Sequence, residues 1–344
     1  MKINKVLILI TVIVLAFSAT ASIAGNKDKV AGAGAQELLI PVGSRGIAVG
    51  GAFNAIVSGN EAMYWNPAGL AASEASAEAT FCNLQWIADT QVNYFAVSSK
   101  FGNIGSFGLS AKVFDFGDIV QTTEFETEGT GVTISPTITT LGLTFSRQMT
   151  DRIFFGANLK LISESFMRMS ASGFAFDFGV QYISSYGIRM GLTLSNFGSM
   201  MQFNGEDLQR TVDLPYVEEG TAPIDLRLEA QKFEMPSTFE IGIAYDYRVT
   251  DEHIVTMATN YRNQNFGMDV IAGGVEYGFN DMFFIRGGYA NMPEGSTDEN
   301  IFGFTAGAGI KYKITNASTV KFDYAYRDTK WFSANQWFTV SLSF

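Results

Sequence analysis

The chain has 344 residues, of which 47% are hydrophobic and 14% aromatic but only 17% charged, with 35 Gly beside 7 Pro. Soluble domains carry roughly 25% charged residues, so this composition describes a chain rich in strand formers and short of the charged cover that surface helices need. The net charge of −11 excludes a nucleic-acid partner, which needs clustered positive charge, and a single Cys and a single His exclude an intramolecular disulfide and any Cys- or His-rich metal cluster.

At the N-terminus, Lys2 and Lys5 precede an apolar run from Val6 to Phe17, followed by small residues at Ser18–Ala21 and Ser22–Ala24. This is the pattern of a secretory signal peptide over residues 1–24, cleaved after Ala21 or Ala24. The run falls short of the ~20 apolar residues that a spanning helix requires, and no later stretch is uniformly apolar for that length.

Residues 25–75 form a separate lead-in whose centre, Gly43 to Leu70, is too glycine-rich for a strand and too apolar for a solvated linker. Gly43, Gly46, Gly50 and Gly51 do not make a phosphate loop, because no Gly-Lys-Ser/Thr follows and no strand clearly precedes. Close backbone packing inside a lumen accounts for them better. Asn66-Pro67 predicts a tight turn, since Pro disfavours helix in the residue before it and Asn favours turn initiation. We expect Trp65, Asn66, Pro67 and Gly69, with Gly50 and Gly51, to wedge a plug into a barrel wall, with ligand gating as the second role.

From residue 76 onward the chain alternates with period two, the signature of strands with two unlike faces. Phe239, Ile241, Ile243, Tyr245, Tyr247 and Val249 oppose Glu240, Gly242, Ala244, Asp246 and Arg248. Phe302, Phe304, Ala306, Ala308, Ile310, Tyr312 and Ile314 oppose Gly303, Thr305, Gly307, Gly309, Lys311 and Lys313. Val320, Phe322, Tyr324 and Tyr326 oppose Lys321, Asp323, Ala325 and Arg327. About fourteen strands are expected, near 76–87, 90–100, 104–118, 137–148, 152–166, 172–184, 187–197, 236–249, 253–262, 269–279, 282–290, 301–314, 317–327 and 336–344. From the second strand on, tight turns such as Asn280-Asp281 alternate with longer connections, including Ile119–Pro136, Phe166–Ala171 and Gly198–Met235.

A soluble sandwich would explain the alternation but not this ordering of turns, which is that of outer-membrane barrels. The polar face carries Gly, Ser and Thr with isolated charges, Lys160, Asp177, Glu240, Asp246, Arg248, Glu276 and Lys311, and reads as a sheltered, wet lumen. The expected fold is therefore all-β: a transmembrane antiparallel barrel of about fourteen strands over residues 76–344, closed because lipid tolerates no open edge. A lumen of that width is too wide for wall side chains alone to fill, which leaves room for the lead-in as a plug.

The longest loop, Gly198–Met235, sets Glu206, Asp207, Asp213, Glu218, Glu219 and Asp225 beside Met200, Met201, Phe203 and Tyr216. Its acidic spacing matches no EF-hand, so solvation is the simpler account than calcium. As the longest loop it is the expected surface for a partner, through Met201, Phe203, Tyr216 and Glu218. Cys82 reads as an inert apolar position and His253 lacks triad partners, so no catalytic residue and no cofactor is expected.

The lead-in segment Gly34–Arg45, the Val49-Gly50-Gly51-Ala52-Phe53 run and Ala62-Met63-Tyr64-Trp65-Asn66-Pro67-Ala68-Gly69-Leu70, with Met169–Asp177, Leu194–Gly198, Asp323–Tyr326 and the terminal Ser341-Leu342-Ser343-Phe344, resemble the PorV/PorQ family. That family is a branch of the FadL-like outer-membrane barrels. The resemblance implies a fourteen-stranded barrel with its N-terminal segment folded inside, in the outer membrane of a Gram-negative-type bacterium, and Phe344 as the barrel's C-terminal signal. For PorV-like members it implies a non-enzymatic part in type IX protein secretion, binding secreted cargo or other secretion components. For FadL-like members it implies transport of hydrophobic small molecules. One departure is Ser58-Gly59-Asn60-Glu61, where relatives carry acidic residues before the Trp-Asn-Pro run.

Overall fold

The computed structural model describes residues 32–212, 224–296, 298–315 and 317–344; the expected signal peptide lies outside them. Fourteen antiparallel strands form the wall: β1 (Ala77–Gln85), β2 (Gln91–Phe101), β3 (Gly105–Asp115), β4 (Thr137–Thr150), β5 (Ile153–Phe166), β6 (Met169–Ile183), β7 (Ile188–Gly198), β8 (Thr238–Arg248), β9 (His253–Gln264), β10 (Val270–Phe279), β11 (Phe283–Asn291), β12 (Phe302–Lys313), β13 (Thr319–Thr329) and β14 (Asn335–Ser343). Each strand pairs with the next, and β1 pairs with β14 from Glu78↔Ser343 to Gln85↔Gln336, so the ladder closes without a free edge.

The period-two pattern is realised as predicted along most of the wall. On β8, Ile241 and Ile243 are exposed outward while Gly242 and Ala244 are buried. Phe81, Phe95, Leu109, Leu143, Ile310, Phe322 and Phe338 continue an exposed apolar band around the outside. Among the described residues no helix is long and apolar enough to cross a membrane.

Three expectations are corrected. Phe166–Ala171 is not a long connection: β5 and β6 stay paired to Phe166↔Met169, and only Met167-Arg168 turns, with Met167 in the left-handed region at φ 52. Phe302 does not share the outward face of Phe304. The register between β12 and β13 slips between Phe302 and Thr305, and a one-residue slip reverses the side to which a side chain points.

The third correction concerns the lumen, most of which is filled by the lead-in as a protein core rather than left as a wet space. Residues 33–76 run through it from the loop end, where Gly34 N–H donates to the Glu234 carbonyl at 3.1 Å, to the tight-turn end, where Ser76 N–H donates to the Phe344 carbonyl at 2.7 Å. This plug folds as single turns, α1 (Ser44–Ala48) and α2 (Ala62–Trp65), with 3₁₀ turns at Gln36–Leu39 and Pro67–Leu70. Helices this short are marginal in water, so burial holds them: Ile47, Val49, Phe53, Ile56, Met63 and Leu70 form one apolar cluster with wall residues Cys82, Leu84, Val92, Tyr94, Phe114 and Trp337.

The small residues on the inner wall face are what admit the plug. A Cβ on Gly156 of β5 would lie 2.2 Å from the Pro67 carbonyl carbon, and one on Gly288 of β11 would lie 2.3 Å from the Gly50 nitrogen. Gly191 and Gly274 meet plug backbone in the same way, and Gly179 and Gly307 face the Asn66 side chain and the Ala48 Cβ. Glycine here trades strand propensity for backbone-to-backbone contact across the lumen.

Candidate ligand cavity and the plug beneath it

The Trp-Asn-Pro run shapes the plug. Asn66 is extended, its side-chain oxygen accepts from Ala68 N–H at 3.2 Å, and Pro67 opens the following 3₁₀ turn where its missing N–H costs nothing. The Asn66 amide donates to the Asn54 side chain at 2.6 Å and also to the Val180 carbonyl of β6 at 3.3 Å. Trp65 donates its indole N–H to the Val42 carbonyl at 2.8 Å and meets Phe53 edge-on at 5.7 Å. Gly69 cannot take a side chain, since a Cβ would lie 2.5 Å from the Val57 carbonyl oxygen.

Charge fixes the plug on the side of β10, β11 and β13. Arg45 forms a two-pronged pair with Glu276, both contacts at 2.8 Å. Arg286 bonds Glu276 as well and reaches Asp323 at 2.6 Å. Two guanidinium groups and two carboxylates therefore neutralise one another, with Arg286 and Glu276 buried at the centre. Beside them, toward the tight turns, a polar cavity of about 190 Å³ is lined by Glu61, Glu78, Lys321 and Asp323 among others. Burial, with Asp323 as a neighbouring negative charge, pushes the Glu61 carboxyl up to about 7. One Glu61 oxygen is buried without a hydrogen-bond partner.

A second cavity, of about 330 Å³, lies between plug and wall on the loop side. Ile47, Gly50, Gly51 and Trp65 contribute the plug surface, and Leu39, Ile40 and Pro41 contribute the incoming segment. The wall adds Trp86, Val270, Ala272, Ala290 and Phe302, with Asn260, Arg262 and Arg327 among several polar members. Gly50 and Gly51 both sit at positive φ, 72 and 85, and a Cβ on Gly50 would strike the Tyr289 nitrogen at 2.6 Å, so this surface requires glycine twice over. Mostly apolar lining with a few convergent polar groups is the character of a small-molecule site.

The other lumen charges anticipated from sequence are placed as follows. Lys160 and Asp177 form a buried pair at 2.7 Å, with Asn158 donating to Asp177 and Lys160 to the Asn196 side chain, where the ladder between β6 and β7 slips at Asp177. Glu240 pairs with Arg262 and accepts from Asn260 at 2.8 Å. Asp246 pairs with Arg189 at 2.7 Å nearer the tight turns, and Lys311 with Asp281 at 2.6 Å at that rim. Arg248 is exposed there, and Phe344 is tied into the ladder by its N–H to Ala77. In the long loop, Met201 is buried against Ala35 and Leu38 with Phe203 packed alongside, while Tyr216 and Glu218 lie outside the described residues. His253 sits at the tight-turn end, its ring nitrogen 2.7 Å from the Tyr277 hydroxyl.

Arg327 was visible only as one more charge on a polar face. Its guanidinium lies 3.7 Å from the Phe302 ring centroid, 4.9 Å from Trp337 and 5.1 Å from Trp86. A signal was present in the pairing: Glu240 faces Arg262 and Glu276 faces Arg286 across neighbouring strands, whereas Arg327 faces Thr305 and Asn335.

The uncharacterised protein family UPF0164 matches residues 12–177 of the chain. No curated protein matches it in sequence. Among solved structures, it is similar to the CymD monoaromatic hydrocarbon channel at 16% identity, covering 89% of this chain and 98% of that one with a TM-score of 0.56. It is similar to the Pseudomonas putida toluene transporter TodX at 12% identity, covering 87% and 96% with a TM-score of 0.53. A Pseudomonas aeruginosa FadL homologue matches at 11% identity, covering 88% and 98% with a TM-score of 0.51. At such identities the likeness establishes the FadL-like barrel fold and carries no information on the PorV/PorQ branch.

Proposed function

We propose that the chain is a non-enzymatic outer-membrane channel for small hydrophobic molecules, which bind in the loop-side cavity above a lumen-filling plug. In this reading residues 1–24 are removed as a signal peptide, 25–75 are the plug and 76–344 the barrel in lipid. The carrying observation is the mostly apolar cavity itself, about 330 Å³, the larger of the two lumen cavities described and floored by Gly50, Gly51 and Trp65. The closed ladder and exposed apolar band support a membrane setting. The similar folds of a monoaromatic hydrocarbon channel and a toluene transporter support the ligand class.

Passage beyond the cavity requires the plug to shift, because Gly288, Gly274 and Gly156 hold its backbone in contact with the wall. The Arg45–Glu276 pair would be broken or slid in that movement. The secretion reading draws less support: Met201 and Phe203 tie the long loop to the plug rather than offering a surface to cargo.

The test is equilibrium binding of toluene to the purified protein in nanodiscs, followed by tryptophan fluorescence, since Trp65 and Trp86 line the cavity. We expect a saturable response that Ala290→Trp abolishes. An unsaturable response, equal in both proteins, would overturn the reading.

A further inference from the structure

Among the described residues, the lumen arginines other than Arg327 have carboxylate partners. Arg45 and Arg286 share Glu276 and Asp323, Arg262 has Glu240, Arg189 has Asp246, and Lys160 has Asp177. Arg327 breaks the pattern. It lines the loop-side cavity, makes no ion pair among the described residues, and keeps its Nε and Nη2 buried without an acceptor. Its neighbour across the β13–β14 ladder, Asn335, is fully buried with both side-chain polar atoms unpartnered.

A guanidinium withdrawn from water and left without an anion is unfavourable, and truncation to an apolar residue would remove the penalty. The three rings around Arg327 offset part of it by cation–π attraction, but rings act on the face of the guanidinium. Its N–H donors lie in the plane of the group and match a planar carboxylate. The cavity supplies the rest of the recognition. Phe302 and Trp86 offer flat apolar surfaces beside Arg327, and about 330 Å³ lies near the lower end of small-molecule sites, enough for one ring and its substituent.

We propose that the cavity selects a small aromatic carboxylate of the benzoate class over a neutral hydrocarbon, with Arg327 as the residue that sets this preference. The inference rests on the reading of the cavity as a ligand site and deepens it. The ring lies among Trp86, Phe302 and Ala290, and the carboxylate takes the place of the protein carboxylate that Arg327 lacks. The slip in register at Phe302 is what turns that ring inward, so the wall irregularity and the charge serve one site.

Calorimetric titration of the full chain in nanodiscs with benzoate and with toluene tests this, using the wild type, Arg327→Gln and Arg327→Lys. The expected result is benzoate binding at least tenfold tighter than toluene in the wild type. In Arg327→Gln benzoate affinity falls at least tenfold more than toluene affinity does; Arg327→Lys retains part of the preference. Toluene binding as tightly as benzoate, or Arg327→Gln weakening both ligands equally as loss of a purely structural clamp would, overturns the proposal and leaves the cavity reading intact. Binding of neither ligand overturns both. Should Arg327→Gln fail to show heat-modifiable migration, the benzoate-to-toluene ratio in the wild type and Arg327→Lys decides: an unchanged ratio near one sinks the assignment.

Discussion

Gly288 and Ala290 stand two residues apart on the same face of β11, and the lumen around them is filled in opposite ways. At Gly288 the plug backbone touches the wall, leaving no room for a methyl group. At Ala290 the wall looks into the loop-side cavity. The tight-turn side of the plug is fixed by glycine contacts and a four-membered charge network, whereas the loop side is apolar, roomy and holds an unmatched cation. One side is built to keep the plug in place, and the other to receive something.

Removing a charge from the fixed side should have the largest effect. Glu276→Gln leaves Arg45 and Arg286 with Asp323 alone, and stranding a buried charge costs about 3–5 kcal/mol. The expected outcome is a lower urea midpoint in detergent and a rise in ion conductance across planar bilayers as the plug loosens. An unchanged conductance would mean that the plug does not depend on this pair.

Adding bulk separates the two sides more finely. Gly288→Ala should destabilise by about 1–3 kcal/mol through overpacking. Ala290→Leu, growing into the cavity, should stay within about 0.5 kcal/mol while weakening ligand binding. Equal losses at both positions in thermal melts would erase the distinction between them.

Acidity probes the fixed side through Glu61. Its folded carboxyl titrates at about 7 against an ordinary 4.5, so between these values the folded state holds more proton than the unfolded one. The contribution of Glu61 to stability should therefore be greatest below about 4.5, fall as pH rises through this window and level off above 7. Glu61→Gln should flatten that part of the curve in melts taken across the window. The smallest effect is expected at the rim, where Lys311→Ala breaks a half-exposed pair with Asp281 and should change stability by about 0–1 kcal/mol.

The wall was legible in the sequence because an outward apolar face and a small or polar inward face repeat every two residues. Where alternation misled, the ladder had slipped, as at Phe302, or turned in two residues, as at Met167-Arg168. The lumen was harder to read. Gly156 or Gly288 on a polar face is compatible with water or with a touching backbone, and only the path of residues 33–76 decides between them. Arg45 and Glu276 lie 231 residues apart, so nothing local announces their pairing. Arg327 could have been singled out by the lack of an acidic neighbour in register, but that register depends on the slip at Phe302.

The central claim, that the loop side of the plug receives small hydrophobic molecules for passage, is tested most directly by accumulation of radiolabelled toluene. Cells lacking the protein would be compared with cells carrying the wild type or Ala290→Trp, the latter two at matched outer-membrane levels. The account predicts faster accumulation with the wild type and loss of that gain with Ala290→Trp. Equal accumulation in all three would contradict it.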